Sequence, residues 1–173
     1  MLNFKVMSRI IKRHPLKRKD AKSFITKIYQ IFGVDIKKCS KKPKIEFIKT
    51  QETEYYLING KIILMRKNKE ILPTLLFDEY LSLLPKVSVD LGAIPHVCNG
   101  ADIMAPGIAK IDGEFKKGSK VLIIDERHQK PLALGKALED SEKIRRIKHG
   151  KVIENIHYVG DKHWKFIKIF DVQ

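Results

Sequence analysis

The sequence predicts an α+β protein of two domains: a small basic α/β domain over residues 1–86 and a small, nearly closed β-barrel over residues 87–173. Three observations support this. The first half carries a helix pattern followed by a hairpin signal. The second half holds 8 of the 10 glycines, separated by short apolar runs. The chain has 173 residues, 43% of them hydrophobic, which is enough for two small cores and excludes a disordered tail.

The first half opens with a mixed apolar and basic run over residues 4–11, which predicts a strand. A helix is predicted over residues 20–32, because apolar side chains such as Phe24, Ile28 and Phe32 recur at helical spacing. Gly33 suits the end of that helix. Residues 44–49 predict a second strand.

A β-hairpin is predicted next. Glu54–Ile58 and Lys61–Arg66 read as its strands, and Asn59-Gly60 supplies the two positive-φ positions of a type I′ turn. A short helix over residues 75–83 follows. Pro85 ends it, so we place the domain boundary near residues 84–87.

The second half has the sequence pattern of a small barrel, because short runs of β-favouring residues lie between regularly spaced glycines. A helical turn over residues 139–149, introduced by Asp140-Ser141, interrupts them. Six short strands with frequent turns are typical of a nearly closed barrel. The predicted strands are 101–104, 108–112, 119–125, 132–138, 151–158 and 163–170.

Positive charge is concentrated in the first half. Residues 1–86 contain 20 Lys or Arg and 8 Asp or Glu, whereas residues 87–173 contain 15 and 12. Most of the excess lies in the clusters 12–19 and 37–44. Such a field attracts polyanions. A lysine-rich solvated surface of a heat-adapted protein is the alternative, and an acidic membrane surface is a third, although no amphipathic helix presents an aromatic face.

The segment 89–108 is the most specific in the chain. It predicts a short helix over 92–98, a tight turn at Asn99-Gly100 and a strand that ends at Pro106-Gly107. Glycines at both ends leave backbone N–H groups uncrowded, so that a polyanion or a base can approach the main chain. Alternatively, these glycines only form turns, and the apolar residues Ile94, Val97, Ile103 and Met104 only fill the core.

Residues 89–170 resemble a PUA domain, the RNA-binding module named after pseudouridine synthases and archaeosine transglycosylases. The resemblance is carried by Val89-Asp90-x-Gly92-Ala93, Gly100-Ala101-x-Ile103-Met104-x-Pro106-Gly107-Ile108, Pro131-x-Ala133-x-Gly135 and His157-Tyr158 with Asp161 and Trp164. Residues 154–164, with Asn59-Gly60 and Pro73-Thr74-Leu75, are similar to the malignant-T-cell-amplified and translation-machinery-associated proteins. Those have a pre-PUA domain ahead of the PUA barrel, which is the fold implied here.

The resemblance implies RNA binding rather than chemistry. PUA domains hold structured RNA, often near a tRNA acceptor end, on the surface of their first helix and second strand. The matching residues are Gly92, Ala93, His96, Gly100, Ala101, Met104, Pro106 and Gly107. The relatives act on the small ribosomal subunit beside a partner with an initiation-factor-like domain. His96, Asn99 and Asp102 depart from common family choices, and Asp102 would repel a phosphate.

The basic cluster of the first half adds four predicted phosphate contacts: Arg13, Lys17, Arg18 and Lys19. The excess of positive charge thus lies in the first half of the chain, whereas the PUA-like motif lies in the second half. We expect the first domain to anchor RNA and the barrel to position it.

No catalytic residue, metal site or cofactor is predicted. His157 and His163 near Asp161 lack a third convincing ligand, so His157 and Trp164 read as core-edge residues. Cys98 reads as a small buried residue, and no phosphate-binding glycine loop occurs. Two alternatives remain: a tRNA-binding subunit that presents substrate to a separate transglycosylase or pseudouridine synthase, and a protein-docking module.

The expected location is a reducing cytoplasm. Cys39 and Cys98 form no CxxC pair, and the N-terminal sequence lacks the apolar region of a secretory signal. The high content of Ile and Lys favours a heat-adapted archaeal source.

Overall fold

The computed structural model describes residues 10–39 and 42–171. The chain divides into two compact units. One contains the described residues up to Ser82 together with those from Phe166 onward, and the other spans Leu83–Lys165. The predicted division lies after residue 86, whereas these units divide after Ser82 and the residues from Phe166 onward group with the first unit.

The first unit is a five-stranded antiparallel meander covered by helices. Its strands follow one another in space as in sequence. The last four are joined by short connections, whereas two helices lie between the first strand and the second. The elements in chain order are β1 (Ile10–Pro15), α1 (Arg18–Phe32), α2 (Ile36–Cys39), β2 (Ile45–Thr50), β3 (Glu54–Ile58), β4 (Lys61–Lys67), β5 (Glu70–Pro73) and α3 (Asp78–Leu81).

The long helix and the hairpin are confirmed. In α1, Gly33 adopts φ 68° and donates its backbone N–H to the Tyr29 carbonyl, which ends the helix as predicted. Asn59 and Gly60 have φ values of 52° and 87°, the two positive angles that a type I′ turn requires. The buried face of α1 packs Ile28 and Phe32 against the sheet core.

Other predictions for the first half are only partly matched. The strand predicted over 4–11 lies almost wholly outside the described residues. The strand predicted over 44–49 is Ile45–Thr50. The helix predicted over 75–83 is a single turn, Asp78–Leu81, because the hydroxyl of Thr74 turns the preceding chain by bonding to the Ile62 carbonyl and accepting the Leu76 N–H.

The second unit is a curled six-stranded sheet. Its elements are β6 (Lys86–Val89), α4 (Ile94–Val97), β7 (Ile103–Met104), β8 (Ile108–Asp112), β9 (Lys120–Asp125), β10 (Pro131–Ala137), α5 (Ser141–Ile144) and β11 (Lys151–Tyr158). The strands lie in the order β7-β11-β10-β9-β6-β8. The two outermost strands, β7 and β8, are consecutive in sequence and are joined by the three-residue 3₁₀ turn Ala105–Gly107. That short link brings the edges of the sheet together, as in the predicted nearly closed barrel.

One predicted strand is wrong. Residues 163–170 lie in a helix, α6 (Lys162–Asp171), and the sixth strand of the barrel is β6 instead. Side chains at 163, 166, 167 and 170 are buried, which is helical spacing. The Asp161 carboxylate accepts the Trp164 backbone N–H and starts the helix. None of the helices in the described part of the chain has the length and apolar character to pass through a bilayer.

Candidate nucleic-acid interface

The candidate site in the second unit begins where β6 ends. The Asp90 carboxylate accepts the Ala93 backbone N–H at 2.8 Å, and the Asp90 N–H donates to the Gly107 carbonyl at 3.0 Å. These two bonds fix the entry to α4 beside the turn that ends β7. A Cβ at Gly107 would lie 3.0 Å from the Ala93 Cβ, so the two segments are in close contact.

The turn after α4 requires glycine. Gly100 adopts φ +90°, and its N–H donates to the Val97 carbonyl at 3.0 Å. A Cβ there would meet the Tyr158 hydroxyl oxygen at 2.6 Å and the adjacent ring carbon at 2.8 Å. Its role is therefore to close the turn against β11.

A cavity of about 470 Å³ lies between α4 and β7, within the usual size range of ligand pockets. Its wall is mainly apolar, with the His96 imidazole at one side and the half-exposed Met104 side chain. Seven of the eight residues predicted for this surface line it, namely Gly92, Ala93, His96, Ala101, Met104, Pro106 and Gly107. Gly100 does not line it. A flat heterocycle suits such a wall, since bases stack on apolar and aromatic surfaces.

Asp102 is part of the cavity wall, but its charge is compensated. The carboxylate accepts the Asn155 backbone N–H at 2.8 Å and pairs with the Lys151 ammonium at 3.0 Å. Although burial opposes ionisation, these two contacts hold the pKa of the Asp102 carboxyl below its usual value. The predicted repulsion of a phosphate by Asp102 is thus offset by Lys151.

Asn155 holds the α4–β7 loop in place. Its side-chain amide donates to the Val97 and Ala101 carbonyls, both at 3.0 Å. Together with Asp102, it joins the loop to β11. In the sequence, Asn155 is visible only as part of the family-like stretch 154–164, because its partners lie more than fifty residues away and no local pattern indicates them.

The predicted phosphate contacts of the first unit divide into two kinds. Lys17, Arg18 and Lys19 are exposed at the start of α1. Arg13 is engaged: its Nε lies 2.9 Å from the Glu46 carboxylate, and its guanidinium lies 5.0 Å from the centre of the Phe170 ring. The second basic cluster, 37–44, includes residues 40 and 41, which are outside the described residues.

His157 is fully buried rather than at the core edge, which corrects that prediction, whereas Trp164 is half-buried. The His157 Nδ1 lies 2.7 Å from the Asp161 carboxylate, and His163 is 6.2 Å away ring to ring. Across residues 10–39 and 42–171, no group of three or more His, Cys, Asp or Glu side chains is placed to hold a metal ion. Cys98 is half-buried, and this burial raises the pKa of its thiol.

Two family models match the chain. One, described as the PUA domain, matches residues 85–159. The other, described as a domain of unknown function (DUF1947), matches residues 12–80. Among the described residues, they leave out the last helix and the short stretches 10–11, 81–84 and 160–161.

Curated relatives extend the match. The chain is 38% identical to an uncharacterized protein of Methanocaldococcus jannaschii over 91% of this chain and 98% of that protein. It is 34% identical to translation machinery-associated protein 20 of Saccharomyces cerevisiae, over 73% and 74% of the two chains. It is 33% identical to malignant T-cell-amplified sequence 2 of Homo sapiens, over 72% of each.

A solved structure agrees in fold. The hypothetical protein PH0734.1 from Pyrococcus horikoshii superposes with a TM-score of 0.71 at 35% identity, over 90% of this chain and 99% of that chain. The resemblance predicted from the sequence is confirmed.

Proposed function

The chain belongs to the PUA-domain family that includes translation machinery-associated protein 20 and malignant T-cell-amplified sequence 2, and on that premise we propose that it is a non-catalytic RNA-binding protein of translation. It holds structured RNA at the cavity between α4 and β7. Its target is the small ribosomal subunit, where it acts in initiation, reinitiation or recycling beside an initiation-factor-like protein in the cytoplasm.

The observation that carries this proposal is the composition of the cavity wall. Apolar backbone and side-chain surface faces the cavity from Gly92, Ala101 and Pro106, while Met104 and His96 add a polarisable sulfur and a ring. Unpaired RNA bases, such as those of a tRNA acceptor end, are recognised by stacking on such groups and by hydrogen bonds to their edges. The cavity therefore fits an unstacked base better than a duplex.

The first unit supplies the electrostatic part of binding. Lys17, Arg18 and Lys19 are exposed and consecutive at the N-terminal end of α1, where free backbone N–H groups also favour anions. Contacts of this kind neutralise phosphates without reading sequence. Arg13 contributes less, because Glu46 already balances its charge.

Titration of a fluorescent acceptor-stem minihelix by anisotropy tests the cavity. Met104→Ala removes a thioether that can lie against the base and should weaken binding by roughly 2- to 13-fold, since contact of a methionine sulfur with an aromatic ring contributes about 0.3–1.5 kcal/mol. Leu91→Ala is the matched control, because Leu91 is similarly exposed but does not line the cavity. Equal affinities for the two variants would contradict the proposed site.

The identity of the RNA is a separate test. Ultraviolet cross-linking in cells, followed by recovery of the protein with its bound partners, should enrich small-subunit ribosomal RNA. Recovery of tRNA with a transglycosylase or a pseudouridine synthase would instead favour the substrate-presenting alternative. Recovery of protein without RNA would favour the docking alternative.

A further inference from the structure

The second unit also has a groove, which lies beside the cavity. It has a volume of about 280 Å³ and is formed by β8 and the segment around and after α5. Ile108, Ile111 and Ile147 form its apolar floor, and Lys110, Arg145 and Lys148 form its rim. Pro106 lines both the groove and the cavity, so the two are contiguous.

The rim is cationic and is not balanced by acids within the groove. No carboxylate is among the residues that line it. Arg145 pairs with Glu114 at 2.9 Å and donates to the Gly113 carbonyl, which fixes its guanidinium. Lys110 and Lys148 are exposed, and neither forms an ion pair within the part of the chain that the structure describes. These two ammonium groups are available to an anion.

The floor is a fixed part of the fold. Ile108, Ile111 and Ile147 are partly buried against the core of the second unit, which includes the buried Ile144 of α5. The groove thus combines a preformed apolar floor with two accessible cations. An RNA strand presents the same alternation, because its riboses and base faces have apolar surface and its phosphates are anionic.

From this contiguity we infer that an RNA strand with a base in the cavity continues across Pro106 into the groove, where Lys110 and Lys148 each bind a phosphate. The inference rests on the proposed function, because it needs the cavity to be occupied by RNA. It adds the path of the strand and makes the site longer than one nucleotide.

A length series tests the path. Single-stranded RNA oligonucleotides, lengthened one nucleotide at a time from a dinucleotide, are titrated against the full chain by fluorescence anisotropy. Wild-type affinity should rise stepwise as the strand reaches Lys110 and Lys148. In the Lys110→Ala/Lys148→Ala double variant the dinucleotide should bind as to wild type. The longer strands should bind roughly tenfold more weakly, and their log–log salt slope should fall by about 1.4, since each single-strand phosphate contact contributes about 0.7.

The matched control is Lys130→Ala/Lys136→Ala, which removes the same charge from exposed lysines that line neither groove nor cavity. It should leave the length dependence intact. If both double variants weaken long strands equally, the effect is general electrostatics and the inference fails.

The measurements distinguish failure of the proposed strand path from failure of the proposed cavity site. Dinucleotide binding that depends on Met104, with no gain on lengthening, would overturn the path but leave the cavity site, and would reassign the groove to an acidic protein surface. Absence of RNA binding at every length would overturn both. Melting temperatures of the variants, expected to match wild type at these exposed positions, confirm that each one is folded.

Discussion

Gly100 makes the most demanding conformational requirement in the candidate site. Its φ of +90° is one that side chains rarely adopt, and the Tyr158 ring occupies the place of a Cβ. We expect Gly100→Ala to combine a backbone penalty of about 1–2 kcal/mol with an overpacking penalty of about 1–3 kcal/mol. Urea denaturation measures the sum.

Gly118→Ala separates the two penalties. Gly118 has nearly the same angle, φ +86°, but nothing lies within 4 Å of its Cβ position. The variant should lose only the backbone part, about 1–2 kcal/mol. Equal losses at the two positions would mean that the Tyr158 ring moves aside without cost.

The Asp161 carboxyl should make the free energy of unfolding depend on pH. Burial opposes its ionisation, but the hydrogen bond with His157 and the N–H groups of Trp164 and Tyr158 outweigh it, so the pKa of the Asp161 carboxyl lies below its usual value. Because this pKa is lower in the folded state than in the unfolded state, the ionised carboxylate stabilises the fold above the unfolded pKa of about 4. That contribution is lost as the pH falls through the pKa of the folded state.

Asp161→Asn should therefore cost about 1–3 kcal/mol at neutral pH, the usual cost of disrupting a buried charged hydrogen bond. The difference in free energy of unfolding between the variant and wild type should shrink below about pH 4. Urea denaturation at a series of pH values measures it. A difference that stays constant with pH would show that the carboxylate charge contributes nothing.

Among the secondary-structure elements, α6 shows where sequence reasoning failed and why. Trp164, Phe166, Ile167 and Phe170 are residue types that strands favour, and that preference outweighed their helical spacing. The β3–β4 hairpin was predictable because Asn59-Gly60 determines its own turn locally. In α6, one deciding feature is local, the Asp161 cap, and the other is tertiary, the packing of Phe166 on Tyr55, which a single sequence does not reveal.

Phe166 should make a large contribution to the first unit. It is 7% exposed, stacks on the Tyr55 ring at 4.5 Å and packs beside Phe170. Phe166→Ala should lower the free energy of unfolding by about 3–5 kcal/mol, the range for buried phenylalanine truncations. Its neighbour Lys165 is exposed, so Lys165→Ala should change stability by no more than about 0.5 kcal/mol. Similar values for both would contradict the packing of Phe166 on Tyr55.

The candidate site was predictable in its outline but not in its support. Glycine spacing and family resemblance pointed to the residues that line the cavity, because these lie in one stretch of sequence. Asp102 shows the limit: its negative charge predicts repulsion of a phosphate, whereas the structure pairs that charge with Lys151, which is distant in sequence. Charge compensation between strands is set by sheet register, which a single sequence does not reveal.

At the scale of the whole molecule, the net charge of +15 determines how binding responds to salt. If roughly 6–10 phosphates are neutralised, raising monovalent salt from about 50 to 200 mM should weaken RNA binding by about 10³–10⁵-fold. Anisotropy titrations across that range measure the slope. Reversing the charges of Lys17, Arg18 and Lys19 should flatten the slope and weaken all RNAs alike, and a salt-independent affinity would rule out this mode of binding.

The return of α6 to the first unit has a consequence for biosynthesis. A nascent chain emerges from its N-terminus, and domains usually complete folding in that order. Here the residues from Phe166 onward emerge after those of Leu83–Lys165, so the unit that is begun first is completed last. In the interval β1 is an edge strand of an incomplete unit, and the charges of Lys12 and Arg13 along it discourage pairing with a neighbouring nascent chain.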